Sequence, residues 1–251
     1  MSPIFVSGIG TDVGKTVVSA ILTEALGAHY WKPVQAGFEH GTDSEWVGDR
    51  ISALPERTSR RHNSLSAQND NVSRTAHKSA SPRDRILPEA YKLEMPASPH
   101  IAARKEGITI DLDHIASEYR RITQNISGPV IVEGAGGLMV PLNDHEFVID
   151  LAKKLGAIVI LVSRNYLGSI NHSLLSAGLC KSREVPVAGW VFNDQYLHYE
   201  QEIAAWSGIP SIGGIPHSAD TGTEFIRLQA DSLRASLLRQ LQPFGVSLEH
   251  L

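Results

Sequence analysis

The residues best suited to chemistry lie near the N-terminus, where positions 7–16 read SGIGTDVGKT. Glycines let a backbone turn tightly and point successive N–H groups at one anion. Lys15 is placed to reach the β- and γ-phosphates of a nucleotide, and the Thr16 hydroxyl is placed to join the coordination of Mg²⁺. The segment therefore predicts a phosphate-binding loop that holds Mg-ATP.

The elements on either side of this loop agree with that interpretation. An apolar run at 4–6 predicts a buried strand, and apolar residues at helical spacing predict a helix over 15–26. The spacing departs from the common pattern, because Gly8 and Gly14 enclose five residues instead of four. The alternative is a glycine-rich turn between a strand and a helix, without a ligand.

A second candidate lies at the end of another predicted strand. Residues 130–133 read VIVE, so Glu133 ends an apolar run, and the segment GAGG follows at 134–137. A carboxylate at this place is typical of the acidic residue that helps to hold Mg²⁺ in nucleotide-binding sheets. Glycines let the backbone approach a ligand closely. An ordinary carboxylate at the end of a strand is the alternative.

Apolar runs alternate with helical patterns along the chain. Strands are predicted at 4–6, 29–31, 130–133, 157–163 and 187–193, and helices at 15–26, 113–125, 169–181, 197–206 and 224–240. This alternation predicts a doubly wound α/β fold of the P-loop NTPase type, with a mostly parallel sheet and helices on both of its faces. Ligands of such sheets bind at the carboxyl ends of the strands, which makes Lys32, Glu133 and the pair Asn193-Asp194 candidate site residues.

Composition adds limits to this picture. The 251 residues carry a net charge of −4, which predicts no basic surface for nucleic acid or for an anionic membrane. The single cysteine excludes an intrachain disulfide, and no apolar run is long enough to span a bilayer. We expect one cytoplasmic domain over 1–251, in which the Ser- and Arg-rich stretch 58–82 is a mobile insertion.

Six segments, in order along the chain, match the motifs of one enzyme family. They are GIGTDVGKT at 8–16, WKPVQAG at 31–37, SPHIAA at 98–103, VEGAGG at 132–137, LGSINH at 167–172 and GWVFND at 189–194. Each motif alone is unspecific, but the ordered set covers most of the chain and resembles dethiobiotin synthetase. Residues 58–82 lie outside the resemblance.

The resemblance implies a reaction and its partners. Dethiobiotin synthetases are P-loop enzymes that use Mg²⁺ and ATP to join CO₂ to 7,8-diaminononanoate. One substrate amine takes up CO₂ as a carbamate, which attacks the γ-phosphate to give a carbamic-phosphoric anhydride. The second amine then displaces phosphate and closes the ureido ring. The resemblance also implies a homodimer whose site lies near the interface.

The resemblance assigns roles to single residues. Lys32 matches the catalytic lysine that faces the carbamate and the γ-phosphate, and Lys15 is the second catalytic cation. Thr16, Asp43 and Glu133 match the ligands of Mg²⁺. The positions that match ATP contacts are Asp12, Val13, Gly14, Lys15, Thr16, Val17, Asp43, Glu133, Gly134, Ala135, Gly136, Asn193, Asp194, Pro216, His217 and Ser218. The positions that match substrate contacts are Thr11, Lys32, Ala36, Asn171 and Tyr199, the last two in part across the dimer interface.

Three positions depart from the family pattern. Ile9 and Gly10 replace the usual Thr-Asp of the loop, and we expect Gly10 to make the loop more flexible. Ala36 stands where a hydroxyl side chain normally contacts the substrate. The loss of one such contact typically costs about 1 kcal/mol, so we expect weaker substrate binding.

Some alternatives stay open at this level. Asp49 competes with Asp43 as the Mg²⁺ ligand, and the Asn193-Asp194 pair does not exclude GTP or CTP. A cobyrinate-type amide ligase is a second functional interpretation, although such chains usually carry a separate glutaminase domain. An ATP-switch protein of the septum-positioning kind is a third, although it would carry a second lysine inside the loop.

Overall fold

A computed structural model describes residues 2–52, 81–194 and 196–246 of the chain. The strands in these ranges are β1 (Ile4–Gly8), β2 (His29–Trp31), β3 (Val34–Ala36), β4 (Ile86–Leu87), β5 (Tyr91–Leu93), β6 (Val130–Gly137), β7 (Ile158–Arg164), β8 (Val187–Asn193) and β9 (Ser211–Ile215). The α-helices are α1 (Lys15–Ala25), α2 (Asp43–Gly48), α3 (Pro99–Lys105), α4 (Leu112–Thr123), α5 (Val148–Lys154), α6 (Ser169–Ser182), α7 (Glu200–Ser207) and α8 (Thr223–Leu241). Short 3-10 segments lie at Pro82–Arg85, Tyr196–His198 and Gln242–Phe244.

Seven strands form the central sheet, in the order β4-β2-β6-β1-β7-β8-β9, and each neighbouring pair runs parallel. β3 and β5 pair in parallel as a separate two-stranded sheet. β2, β4 and β6 lie on one side of β1, and β7, β8 and β9 lie on the other. Open α/β sheets bind their ligands where the chain passes from one side of the first strand to the other. The doubly wound α/β fold predicted from the alternation is confirmed.

Burial of the central strands explains why the sheet forms. All five residues of β1 are buried, and in β7 only Arg164 is exposed. A strand covered on both faces reads as a continuous apolar run, as β7 does. Each large aliphatic side chain that becomes fully buried contributes roughly 1.5–3 kcal/mol. The apolar side of α1 is buried as well, and this helix packs beside α8.

The predicted helix over 197–206 is wrong at its start. The chain first forms the 3-10 segment Tyr196–His198, in which Leu197 and His198 have φ values of 62° and 50°. These left-handed values are rare for L-residues and cannot continue an α-helix, so α7 begins only at Glu200. The other predicted helices and strands agree with the structure to within two residues at each end, except that β6 continues four residues beyond its predicted end at Glu133.

Several short elements are absent from the prediction because their sequence signals are weak. β9 reads SIGGI, and a Cβ at Gly213 would collide with the Leu233 side chain of α8. α2 begins with a capping box: the Thr42 hydroxyl accepts from the Glu45 N–H, and the Glu45 carboxylate accepts from the Thr42 N–H. That pattern is visible in the sequence and could have located α2.

Most of the predicted insertion at 58–82 lies outside the described residues. Its last two residues, Ser81 and Pro82, cap and begin the 3-10 segment. Of the helices that the structure describes, none combines the length and the apolar character needed to cross a membrane.

Arg85 connects residues that precede position 53 with the chain that follows position 80. Its buried guanidinium donates to the backbone carbonyls of Thr23, Ala28 and Ser52, and to Glu24 Oε2 at 3.2 Å. The Glu24 carboxylate also accepts from the Ser52 N–H at 3.0 Å. The contact therefore anchors the start of β4 and the chain near residue 52 to the end of α1.

Replacement of Arg85 by Ala should destabilise the fold. We expect Arg85→Ala to lower the free energy of unfolding by about 3–5 kcal/mol, because Glu24 and three carbonyls lose a buried donor. Arg83→Ala is the matched control, since Arg83 pairs with Asp49 on the surface at 3.0 Å and exposed ion pairs contribute little. Urea denaturation measures both variants, and equal stabilities would contradict this role of Arg85.

Candidate active site

The phosphate-binding loop joins β1 to α1 and is held against the end of β8. Gly14 has a φ of 86°, in the left-handed region that glycine adopts without strain. A Cβ at this position would overlap the side-chain amide of Asn193. Asn193 Nδ2 in turn donates to the Val13 carbonyl at 3.1 Å. The contact between the loop and β8 therefore requires a glycine at position 14.

The two residues that break the family pattern of the loop have different surroundings. The Ile9 N–H donates to the Val162 carbonyl at 3.0 Å, which continues the pairing of β1 with β7, and the Ile9 side chain packs in the core. The Gly10 carbonyl accepts from Lys15 Nζ at 2.9 Å. No described atom lies within 4 Å of the place where a Gly10 Cβ would be, so no described contact requires glycine there.

Lys15 spans the loop through this bond to the Gly10 carbonyl. Burial lowers the pKa of Lys15, and the charge of Lys32 lowers it further, whereas the Glu133 and Asp43 carboxylates raise it. An anion bound in the loop would favour the charged form of Lys15, since an opposite charge nearby stabilises an ammonium group. The lysine is therefore suited to respond to polyphosphate.

Four side chains beside the loop form what we call the Lys32 cluster: Thr16, Lys32, Asp43 and Glu133. Lys32 Nζ donates to Glu133 Oε1 at 2.8 Å and lies 2.6 Å from Asp43 Oδ2. Thr16 Oγ1 lies 3.0 Å from Glu133 Oε1 and 3.2 Å from Asp43 Oδ1. The fold thus brings together the start of α1, the end of β2, the start of α2 and β6.

The Lys32 cluster keeps a buried positive charge. Lys32 and Glu133 are both almost entirely shielded from solvent. Burial alone would lower the pKa of Lys32, but the carboxylates of Glu133 and Asp43 together raise it above its ordinary value. The site therefore offers a fixed ammonium group between two carboxylates.

A further contact to Glu133 comes from Tyr30, which is not among the predicted site residues. The Tyr30 hydroxyl donates to Glu133 Oε2 at 2.9 Å, and both side chains are buried. Burial, followed by the charge of Glu133, raises the pKa of Tyr30 well above its ordinary value, so the phenol remains a donor. Alternation of side chains along β2 puts Tyr30 and Lys32 on one face, but contact with Glu133 also requires the register of β2 against β6.

The structure distinguishes the two aspartates that were alternative candidates for the Mg²⁺ ligand. Asp43 opens α2, where its backbone N–H donates to Gln35 Oε1 at 3.3 Å, and its carboxylate joins the Lys32 cluster. Asp49 lies at the other end of the same helix and pairs with Arg83 on the surface. Of the two aspartates, the geometry brings Asp43 to Thr16.

Two cavities lie beside the loop, and many of the predicted site residues border one or the other. The first, of about 240 Å³, has walls that include Asp12, Gly14, Val17, Arg164, Asn193, Asp194, Pro216, His217 and Ser218. The second, of about 420 Å³, has walls that include Thr11, Lys32, Ala36, Asp43, Ser98, Ala135 and Gly136. Thr11 and Asp12 are neighbours in sequence but border different cavities, and the left-handed φ of 57° at Asp12 marks the turn between them.

An open apolar groove of about 540 Å³ continues from the second cavity. Thr11 and Val140 border both spaces. Further along, the groove is walled by Ile9, Gly10, Gly137, Leu138, Met139, His172, Leu175, Ser176 and Leu179. The second cavity therefore has a charged end at Lys32 and an apolar extension.

Two predicted substrate residues stand apart from these spaces. Asn171 is exposed on α6. The Tyr199 hydroxyl lies 2.7 Å from Ser169 Oγ and donates to the Tyr166 carbonyl at 3.1 Å. Neither residue borders the three cavities described above, so one copy of the described chain does not bring them to the Lys32 cluster.

A methyl group at Gly14 should weaken nucleotide binding. We expect Gly14→Ala to displace Asn193 from the loop and to strain the backbone, because the new Cβ overlaps the amide at a left-handed φ. Gly10→Ala is the matched control, as its Cβ would meet open space. Calorimetric titration with ADP measures both variants. A Gly14→Ala variant that binds ADP as tightly as the Gly10→Ala variant would show that the loop does not require glycine at position 14.

Comparisons with known proteins support the fold. A family model described as an AAA domain matches residues 2–77 and 62–224. The MinD cell division protein of Aquifex aeolicus aligns with a TM-score of 0.53 at 14% identity, over 98% of each chain. A ParA family ATPase from Chlorobium tepidum TLS aligns with a TM-score of 0.50 at 14% identity, over 99% of this chain and 95% of its own. At this low identity, the likeness shows the fold alone.

Relatives of higher identity carry one name, ATP-dependent dethiobiotin synthetase. The protein of Rhodopseudomonas palustris (strain HaA2) is 39% identical over 235 residues, which cover 93% of this chain and 91% of that protein. The protein of Afipia carboxidovorans is 40% identical over 223 residues, 88% of this chain and 90% of its own. Similarity at this level, over nearly the whole length of both proteins, shows that the chain belongs to the ATP-dependent dethiobiotin synthetase family and is a P-loop ligase of biotin biosynthesis.

Proposed function

We propose that this ligase joins CO₂ to 7,8-diaminononanoate and closes the ureido ring of dethiobiotin, with Lys32 as its central catalytic residue. The observation that carries the proposal is the position of Lys32. Its ammonium group bonds Glu133 and Asp43 beside Thr16 of the loop, and the same side chain borders the second cavity. One cation thus lies next to both the nucleotide loop and a space for an organic substrate.

The shape of that space supports a diamine that carries an apolar chain. The charged end of the second cavity contains Lys32, and an anionic carbamate there would form a charge-assisted hydrogen bond. The methylene chain would extend past Thr11 and Val140 into the apolar groove, where it would be removed from water. Ala36 borders the charged end, which supports the expectation that a missing hydroxyl weakens substrate binding.

We place ATP along the loop, with its phosphates at residues 12–17 and its base in the first cavity. The N–H groups of a loop that precedes a helix suit a polyphosphate. The first cavity gathers the strand-end pair Asn193-Asp194 and the segment 216–218, as expected for a base pocket. Ala135 and Gly136 border the second cavity, on the side where the γ-phosphate would meet the substrate.

The oxygen atoms of Thr16, Asp43 and Glu133 fit a magnesium ion. The threonine hydroxyl lies 3.0 Å and 3.2 Å from the two carboxylates, and Mg²⁺ typically takes few protein ligands and completes its shell with phosphates and water. Among the described residues, no group of three or more acidic, histidine or cysteine side chains offers another metal site. When bound, the ion would neutralise phosphate charge and orient the γ-phosphoryl group.

The proposed reaction has three steps. One substrate amine forms a bond to the carbon of CO₂ and loses a proton, which leaves a carbamate anion. A carbamate oxygen bonds to the γ-phosphorus while the bond from that phosphorus to ADP breaks. The second amine bonds to the carbonyl carbon and loses a proton, phosphate leaves, and the ring closes.

The two lysines contribute by fixed charge. Negative charge spreads over the transferring phosphoryl oxygens, so preorganised cations aimed at them lower the barrier. Lys32 would face the carbamate and the γ-phosphate, and Lys15 would face the β- and γ-phosphates. The carboxylates that hold Lys32 keep its side chain in one position before substrate arrives.

We also propose that the enzyme is a homodimer that pairs across α6. Leu167, just before α6, is 99% exposed, and Leu175 on the helix is 64% exposed. Met139, which borders the apolar groove together with Leu175, is 50% exposed. A concentration of exposed apolar side chains is typical of an interface. A partner on this face would bring its own Asn171 and Tyr199 closer to the end of the groove, where the substrate carboxylate would lie.

The decisive assay follows ATP hydrolysis with and without diaminononanoate and bicarbonate, and identifies the product by mass. We expect ADP and phosphate to form together with the ureido product, and only when both co-substrates are present. In the same assay, Lys32→Ala should lower turnover by roughly 100- to 1,000-fold, because it removes a positioned charge.

Lys105→Ala is the control for that variant, since Lys105 is an exposed lysine at the end of α3. ATP turnover that is unaffected by the diamine would refute the proposed reaction. A Lys32→Ala variant that couples hydrolysis to ring closure at the full rate would refute the role of Lys32 alone.

Placement of a charge at the centre of the exposed α6 surface tests the dimer. We expect Leu175→Arg to convert the protein from dimer to monomer in sedimentation equilibrium, because a buried unpaired charge opposes association. Leu228→Arg is the matched control, since Leu228 on α8 is 52% exposed and lies outside the groove. An unchanged mass for Leu175→Arg, or a monomeric unaltered protein, would exclude this interface.

A further inference from the structure

We propose that Tyr30 is a positioning residue that sets the affinity of the site for the divalent cation of the nucleotide. Its hydroxyl fixes the orientation of the Glu133 carboxylate, so that Oε1 faces Thr16 and Lys32. The inference rests on the proposed function in one respect, namely that Glu133 contributes a ligand to Mg²⁺.

Strand register explains how the tyrosine reaches the carboxylate. Tyr30 on β2 is the direct neighbour of Ile131 on β6, and Glu133 follows two residues later. Side chains two residues apart on a strand share one face and are separated by roughly 6.6 Å, which a phenol can span. The hydroxyl therefore meets Glu133 Oε2 at 2.9 Å across two neighbouring strands.

The two oxygens of Glu133 have separate partners. Oε1 lies 3.0 Å from Thr16 Oγ1 and 2.8 Å from Lys32 Nζ. Oε2 accepts a hydrogen bond from the buried Tyr30 hydroxyl. Because a carboxylate can rotate about its terminal bond, a partner that holds one oxygen also determines the direction of the other.

Solvent is poorly placed to replace this phenol. Tyr30 is 0% exposed and Glu133 is 1% exposed. A buried carboxylate oxygen that loses its donor stays unpaired or turns toward another donor. In this site the available donors are Thr16 and Lys32, so such a turn would change the oxygen that faces the cation.

Tyr30 acts through Glu133 and not by direct contact with a ligand. It borders neither the first nor the second cavity. Its ring is also part of the core, so loss of packing is the competing explanation for any defect. Tyr30→Phe separates the two explanations, because it keeps the ring and removes only the hydroxyl.

The test is calorimetric titration of Tyr30→Phe with ADP, first in EDTA and then over a range of Mg²⁺ concentrations. We expect ADP affinity in EDTA to match that of the unaltered protein. The Mg²⁺ concentration that gives half of the metal-dependent gain in affinity should rise roughly tenfold, as for other residues that orient a metal ligand. Thermal denaturation without metal verifies that the variant is folded.

Two further variants complete the experiment. Tyr119→Phe is the control, since Tyr119 is a partly buried tyrosine of α4 that packs on Trp31, the neighbour of Tyr30 on β2. The Mg²⁺ dependence of ADP binding should be unchanged in this variant. Glu133→Gln should lose most of the Mg²⁺ dependence, and adding Tyr30→Phe to it should produce no further loss, because both substitutions act on one group.

An unchanged Mg²⁺ midpoint in folded Tyr30→Phe would overturn the inference. It would also be overturned if the losses of Mg²⁺ dependence were additive in the double variant of Tyr30 and Glu133. The same holds if Tyr30→Phe lowered ADP affinity as much in EDTA as it does with Mg²⁺. Normal Mg²⁺ dependence in Glu133→Gln would remove its premise. None of these readouts needs turnover, so a failure of the ring-closing assay would be a separate result.

Discussion

The site depends on one interaction, the buried ammonium group of Lys32 between the carboxylates of Asp43 and Glu133. Transfer of a charge from water to a protein interior costs several kcal/mol unless partners replace its hydration. Here two carboxylates do so, and the lysine in turn keeps the two carboxylates from repelling each other. The two buried side chains, Lys32 and Glu133, therefore depend on each other, and the more exposed Asp43 adds a second negative charge beside Lys32.

The fold supplies this arrangement from distant parts of the chain. β2 and β6 are neighbours in the sheet, so Lys32, Tyr30 and Glu133 meet at one edge, and β1 beside β6 brings the loop with Thr16. The capping box at Thr42 starts α2 where Asp43 must enter the cluster. The ParA and MinD proteins share the fold, so the sheet alone does not identify the reaction. The Lys32 cluster and the apolar groove beside it are what support the proposed one.

Much of the architecture was predictable, because parallel strands buried on both faces read as apolar runs such as β7. The loop and strand-end residues were predictable for a related reason, since carboxyl ends of parallel strands meet at one edge. Tyr30 was not, because a tyrosine in an apolar strand looks like an ordinary core residue until the register of β2 against β6 is known. The choice between Asp43 and Asp49 also required the structure, because both lie in the same polar stretch of sequence. Hydrophobic periodicity does not report backbone angles, so it could not predict the left-handed conformation of Leu197.

Oxygen transfer from CO₂ to phosphate tests the central claim of the proposed reaction most directly, namely that a carbamate forms in the cavity beside Lys32 and attacks the γ-phosphate. The reaction is run briefly with ¹⁸O-labelled CO₂ and the diamine, and the released phosphate is analysed by mass spectrometry. If a carbamate oxygen attacks the γ-phosphorus, each phosphate should carry one labelled oxygen, and the ureido carbonyl should keep the other. Unlabelled phosphate together with a labelled ureido product would show that the carbamate never attacks phosphorus, and would contradict the account.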